Sequence, residues 1–499
     1  MIGSTNAGSA VKTILVVTIT DPTSSGYQQG RAVTATNGSD TQIGTTDSAG
    51  VVTFYLRSTG DYTITSDAPA GGTASPVTVQ VDLGGSYATS IMLKFGWGIF
   101  SMSFNPTTFQ TDPSGCLEYG DDCLGYTPVS GPGSSLAKCS TIGSWEMKSD
   151  GTSTNPLLNE CFYATFTNAG VPHQKLNPQN LSQYIATWDN VNKVWVAATG
   201  SSAITTENTM FCIPKCYISA TADKLILSSM IGAPFAHTIG GHTYDYVAIG
   251  VYEGYDDGSR LWSLSGKAST ASKTRPTFRT HARANTVQNG SAMVWNFYQW
   301  NLWRIMTLFA MKSFDGQTKI GQGGFKYDGT TGQGLCNSMG PFAGATTTSA
   351  SVSTSVKAFI ENPWGYKYEF IDDFVVNSVS SSSHEIWAGQ NAQPDDTYTS
   401  PNKTKIVTSG VSGGGDFGRV IDTSAQAWGF PIEGGASSTT GLCDRIYFNS
   451  SAGQYLGFVG GFSSLVSGGF AGPSYLLANG ALDYSNTGLG ARLAFVFDL

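Results

Sequence analysis

Between residues 11 and 95 the chain is cut into short apolar, β-branched runs by turn-forming clusters. This alternation constrains the fold more than any other feature of the sequence. The runs are 14–19, 31–36, 51–56, 62–65, 77–81 and 90–95, and between them stand DPTSSG, TNGSD, DSAG, STGD, APAGG and DLGG. β-Branched side chains fit a pleated surface better than a helical one. Short strands at regular spacing, punctuated by turn signals, predict a sandwich. Asp47 and Gly50 predict a turn before one strand, and Gly60-Asp61 the next turn, with Tyr62 placed to anchor the core.

Charge and composition narrow what the chain binds. Charged residues make up 12% of the sequence, about half the ~25% of an ordinary soluble protein. Aromatic residues also reach 12% and hydrophobic residues 40%, so the low charge does not signal disorder. With 61 glycines and long Ser/Thr runs, the composition suits β-structure with many tight turns. A net charge of −8 leaves no basic stripe to neutralise phosphates, which argues against nucleic-acid partners and against an anionic membrane surface. No apolar run reaches the ~20 residues needed to span a bilayer. The start, Met1 to Ala10, has neither a basic nor an apolar region, and no secretory signal is expected there.

The 8 cysteines include no C-x2-C pair, and the closest two, Cys212 and Cys216, are expected on one face of a single strand. That is poor geometry for a zinc site, so neither metal nor cofactor is expected, and the thiols are read as inert and reduced. After residue 96 the texture changes to Trp-containing segments and Gly/Ser loops, with 111–160 and 375–415 read as loop-rich. One clear helix is predicted within VWNFYQWNLWRIMTLFAMKSF, where Tyr298, Leu302, Ile305 and Phe309 form one buried stripe. No heptad run encodes a coiled-coil stalk.

Two resemblances follow from these segments. TTDSAGVVTFYLRSTGDYTIT is similar to the carboxypeptidase-regulatory and transthyretin-like branch of immunoglobulin-like domains, which implies a spacer or adhesive module. Four later stretches resemble, in order, a family met in phage tail and virion proteins. They are NTMFCIPKCYIS (208–219), YDYVAIGVYEGYDDGSRLWSLSGKASTASKTRPTFRTHARA (244–284), AFIENPWGYKYEFIDDFVV (358–376), and the span 441–497 that ends in GARLAFVF. That family shares the C-type-lectin-like fold of formylglycine-generating enzymes and of variable proteins diversified by retroelements. The resemblance implies a mainly β chain with an α+β part. Residues 1–95 would form an immunoglobulin-like β-sandwich, 96–230 a β-rich, loop-rich lead-in, and 231–499 a C-type-lectin-like domain with few helices.

The chemistry of catalysis is not assembled in the sequence. Glu361, Glu369 and Asp372 lie close together, but no nucleophile or His is placed beside them. The thiol pair of formylglycine-generating enzymes has no counterpart, since only Cys443 lies in the last stretch. Gln393-Pro394-Asp395 matches a triplet of calcium-dependent lectins, but its WND partner does not follow, and a solvated loop is the simpler reading. Arg492, among small and apolar residues, predicts a structural ion pair with a carboxylate such as Asp372 or Asp444.

In retroelement-diversified relatives the variable positions cluster just before the final GARLAF-type strand, here 455–486. This span mixes aromatic residues with Gly, Ser and Asn, as adaptable paratopes do. Tyr455, Phe462, Ser463, Phe470, Tyr475, Tyr484 and Asn486 are therefore the candidate ligand-binding residues, with Phe458 assigned to the core. The resemblance implies a non-enzymatic phage virion protein for host-surface attachment, at a tail fibre, baseplate or head surface. It would be made in the host cytoplasm and bind a host receptor or glycan. Other virion proteins are further expected partners, and a symmetric homo-oligomer, with a trimer among the options, is expected. The rival reading is a capsid or tail decoration protein without ligand binding.

Overall fold

The computed structural model describes residues 13–20, 28–68, 72–95, 99–103, 118–119, 147–153, 155–221, 224–229, 233–239, 241–285, 288–289, 292–293, 295–313, 334, 336–338, 340–343, 357–364, 366–389, 395–397, 403–413, 416–421, 427, 430–434, 445–461 and 475–499. Among them the protein is mainly β, with three helices. Two compact units emerge: Met1–Ile99 with two short later pieces, and a larger unit holding the rest.

The first unit contains β1 (Thr13–Thr20), β2 (Ala32–Thr36), β3 (Thr41–Thr45), β4 (Val51–Leu56), β5 (Gly60–Ser66), β6 (Gly72–Ala74), β7 (Val77–Val81) and β8 (Ser86–Phe95). They form two four-stranded sheets, ordered β4-β1-β8-β6 and β3-β2-β5-β7. β1 is antiparallel to β4 and parallel to β8. Alternate residues of β1 are buried, as period-2 side-chain placement requires of a strand with one face on a core. That core joins both sheets through Leu15, Val17, Ile19, Val33, Phe54 and Tyr62, among others. The Asp47 carboxylate accepts from the N–H groups of Ala49 and Val51, each at 2.9 Å. Gly50 closes that turn at φ +80°, with the Ile19 carbonyl 2.3 Å from where a Cβ would stand, so only glycine fits. Strands β3 and β6 lie outside the apolar runs picked out in the sequence. β3 has no buried residue, so it lacks the apolar alternation that identifies a strand.

In the larger unit an eight-stranded sheet runs Val194–Gly200, Asn180–Asp189, Pro172–Asn177, Phe162–Phe166, Asn208–Pro214, Tyr246–Gly250, Leu493–Phe497, Trp295–Phe297. The segment expected as a lead-in thus supplies five of the eight strands of the sheet that also holds the last strand of the chain. A second large sheet is built on Tyr368–Ser380, flanked by Ser383–Gly389 and Gly453–Val459. Much of 375–415 is therefore strand, not loop. Its Ser-rich stretch is the tight turn at Ser381-Ser382 of a hairpin whose first arm is buried along most of its length and whose second arm buries alternate residues.

The helices are α1 (Pro156–Glu160), α2 (Arg275–Arg283) and α3 (Trp300–Ser313). The predicted stripe is buried throughout: Tyr298, Leu302, Ile305 and Phe309 are all in the core. The helix itself starts only at Trp300, because 295–297 pairs as a strand with the final strand. Cys212 and Cys216 do not share a strand: the first ends at Pro214 and the next begins at Cys216. Cys161, Cys212, Cys216 and Cys336 are free and buried, and burial raises the Cys212 thiol well above its ordinary range. Among the described residues no group of side chains is arranged to hold a metal. No helix among them is long and apolar enough to cross a membrane.

Candidate functional site

The C-terminal segment is anchored from below by Arg492. Its guanidinium is fully buried, which disfavours charge, but Glu369 beside it holds it protonated above its ordinary value. Nε donates to Glu369 at 2.9 Å, and one terminal nitrogen donates to the Gly250 and Val251 carbonyls at 3.1 and 3.0 Å. The other reaches Glu369 at 2.6 Å and the carbonyls of Glu361 and Asn362 at 2.9 and 3.3 Å. All five N–H donors therefore have acceptors, the condition under which a buried guanidinium is tolerated. The sequence anticipated an ion pair but not this partner. Asp372 instead takes Arg279 at 2.6 Å, and Asp444 lies outside the described residues.

That second pair belongs to α2. Thr274 caps the helix by accepting from the Thr277 N–H, and Arg275, Phe278, Arg279 and Ala282 are its buried face. Arg275 binds Asp396 at 2.7 Å and the Ile371 and Phe374 carbonyls at 3.0 and 2.6 Å. Arg279 bridges Asp372 and Asp396. The signal was present in RPTFRTHAR, where Arg275 and Arg279 share a helical stripe with Phe278 and Ala282.

The three neighbouring carboxylates are thus committed to structure. Glu361 accepts from the N–H groups of Gly334 and Cys336, each at 2.9 Å; Glu369 and Asp372 hold the two arginines. Glu253 is buried too, and burial, with Glu369 nearby, pushes its carboxyl up to about 8. Asp395, in the lectin-like triplet, is paired with Lys403 and caps the Thr397 N–H at 3.0 Å. Gln393 and Pro394 lie outside the described residues.

Above this base the candidate ligand residues separate. Tyr475 is only 2% exposed, its ring 5.9 Å from that of Tyr368 and the two hydroxyls 3.5 Å apart. It is core, which corrects its expected surface position: the residue lies at the entry of the strand Leu476–Gly480, inside the second sheet. Phe458 is core as expected. Tyr455 is half-buried and donates to the Ser451 carbonyl at 3.1 Å in the turn that precedes its strand. Phe462, Ser463 and Phe470 lie outside the described residues.

Tyr484 and Asn486 stand at the surface together. Tyr484 is 39% exposed, and its ring rests on Phe458 at 5.7 Å between centroids. Its N–H donates to the Ala481 carbonyl at 3.0 Å, closing a turn. Asn486 is exposed, yet its side-chain oxygen accepts from the Gly488 N–H at 2.8 Å and its carbonyl from the Ser272 N–H at 3.0 Å. The loop is therefore tied to the neighbouring loop and to the strand that follows. An aromatic ring held on such a frame loses little entropy on binding.

The chain matches no family model. No curated protein sequence matches it either. Among solved structures it has a slight likeness to the TIE protein of Bacillus anthracis, with a TM-score of 0.16 and 11% identity over 45% of this chain and 32% of that one. A DUF4876 family protein from Bacteroides thetaiotaomicron gives a TM-score of 0.14 and 11% identity, over 37% of this chain and 46% of that one. The chain thus spans less than half the length of either. Likenesses this slight carry no argument about fold or function.

Proposed function

We propose that the chain is a non-enzymatic virion protein of the phage type, in which a C-type-lectin-like domain behind an immunoglobulin-like sandwich attaches to a host surface. The observation that carries this reading is the seated pair Tyr484 and Asn486, an exposed aromatic and an exposed amide on a loop fixed by hydrogen bonds at both ends. Binding hot spots are built from such rigid aromatic residues next to adaptable polar groups. The order of the four resembling sequence segments supports the lectin-like assignment. So does the meeting of three of them at Arg492, which lies in the fourth and bonds residues of the second and third.

A direct test is saturable binding of the purified chain to intact bacterial cells and to arrays of bacterial surface glycans. The proposal expects a cell type or glycan class that is bound and competed by unlabelled chain. A folded chain that binds none of these surfaces, but assembles onto purified capsids or tails, would instead be a decoration protein.

A further inference from the structure

Lys403 opens the strand Lys403–Ser409, and its side chain is only 1% exposed. Lysine ordinarily lays its stem along the surface and keeps its ammonium in water. Lys405, on the same strand, does so: its side chain is 45% exposed and reaches Glu385 at 3.2 Å. The Lys403 amine is instead turned in against Asp395. Nζ donates to the Asp395 backbone carbonyl at 2.6 Å and also to the Asp395 carboxylate. A buried amine and a carboxyl are therefore held in contact.

The surroundings weaken the charges of this pair. Burial draws the Lys403 ammonium below its ordinary value; the contact with Asp395 opposes this, and the nearby Arg275 adds to it. Asp373 is a poor rival counter-ion. Its Oδ2 is 2.9 Å from where a Cβ of Gly389 would stand, and Gly389 is the strand partner of Lys403. Burial pushes that carboxyl up to about 7, so below neutral pH it is mostly protonated. Asp395 itself is polarised for attack. Its Oδ1 accepts from the Thr397 N–H at 3.0 Å and from the Thr397 hydroxyl at 3.3 Å. Donors on a carbonyl oxygen stabilise the negative charge that gathers there when an amine adds to the carbon. In water an ammonium and a carboxylate stay charged and apart. Held in contact away from water, they exchange a proton and become an amine beside an acid.

We propose that Lys403 and Asp395 condense to an intramolecular amide, a covalent cross-link that the folded chain forms by itself. One ammonium proton passes to the carboxylate, and the freed amine adds to Cγ. The C–N bond forms, the C–O bond breaks, and a second nitrogen proton departs with the hydroxyl as water. Nothing is oxidised or reduced, and no co-reactant is consumed. The product removes two charges whose burial is costly. It also fixes the neighbouring Asp396, the acceptor shared by Arg275 and Arg279 of α2. The proposal does not rest on the attachment reading.

The test is mass spectrometry of the full chain, kept folded near neutral pH for several days and then denatured and digested with trypsin. An amide blocks cleavage after Lys403, so the expected product is the peptide 368–405, lighter than its sequence by one water. Fragmentation should place the missing water between Asp395 and Lys403, a result that needs no variant. Lys403→Arg keeps a cation for Asp395 but no amine that condenses. It should regain the full mass and be cut at position 403, and Asp395→Ala should regain the full mass as well. Ordinary cleavage after Lys403 in a wild type of full mass would overturn the proposal. So would a water loss that persists in Lys403→Arg, since that dehydration would lie at another residue.

Discussion

Arg492 and Glu369 meet in the core at 2.6 Å, and the same guanidinium also ties down carbonyls from two other segments. The pair joins the last strand to the long central strand of the second sheet. Replacing Arg492 by Ala leaves the buried Glu369 carboxylate without its partner and takes a donor from four carbonyls. Loss of one partner of a buried pair costs about 3–5 kcal/mol, and chemical denaturation should show a loss of that size. Arg492→Lys recovers only part of it, because one ammonium cannot reach acceptors on opposite sides.

Stability of the larger unit should fall as pH rises. Burial pushes Asp373 up to about 7 and Glu253 up to about 8. Both folded values lie above the unfolded carboxyl range, so the protonated forms are the ones the fold favours. Their contribution is complete at acid pH and is lost as pH climbs through those two values. Denaturant midpoints measured from about pH 5 to about pH 9 should decline, and Glu253→Gln should flatten part of the slope. A flat wild-type profile would contradict the buried protonated state.

Tyr475 and Tyr484 should behave oppositely. Truncating the buried Tyr475 to Ala opens a cavity and should cost about 3–5 kcal/mol. Tyr484→Ala removes one exposed ring from Phe458 and should cost less than about 1.5 kcal/mol. Melting curves of the two variants separate these outcomes.

In the sandwich, the Tyr62 hydroxyl donates to the Asp40 carboxylate at 2.6 Å and also meets Ser58 at 2.9 Å. Tyr62→Phe keeps the ring but removes a hydrogen bond to a charged group, worth about 1.5–3 kcal/mol. Hydrogen exchange of the first unit's amides should report a loss of that size, with the larger unit unchanged.

The sandwich strands were legible because each alternates: β1, β4 and β5 bury every second residue, and turn residues mark their ends. The buried stripe from Tyr298 to Phe309 was legible for the same reason, at helical period. What escaped were features set by distant partners. Nothing local distinguishes Glu369 from Asp372 as the mate of Arg492, since three carboxylates lie within reach and only tertiary geometry chooses. The hairpin at Ser381-Ser382 looked like a loop because serine-rich composition outweighed the apolar run before it and the alternation after it. Tyr475 and Tyr484 carry the same side chain in similar Gly/Ser/Asn surroundings, and only the sheet that buries one of them tells them apart.

The attachment account is tested most directly by the affinity of the intact chain for its bound cell surface, measured beside Tyr484→Ala and Asn486→Ala. The account predicts that Tyr484→Ala weakens binding by at least about thirty-fold, as a hot-spot aromatic does, with melting close to that of the wild type. Binding that survives both substitutions unchanged would contradict the assignment of the ligand face to this loop.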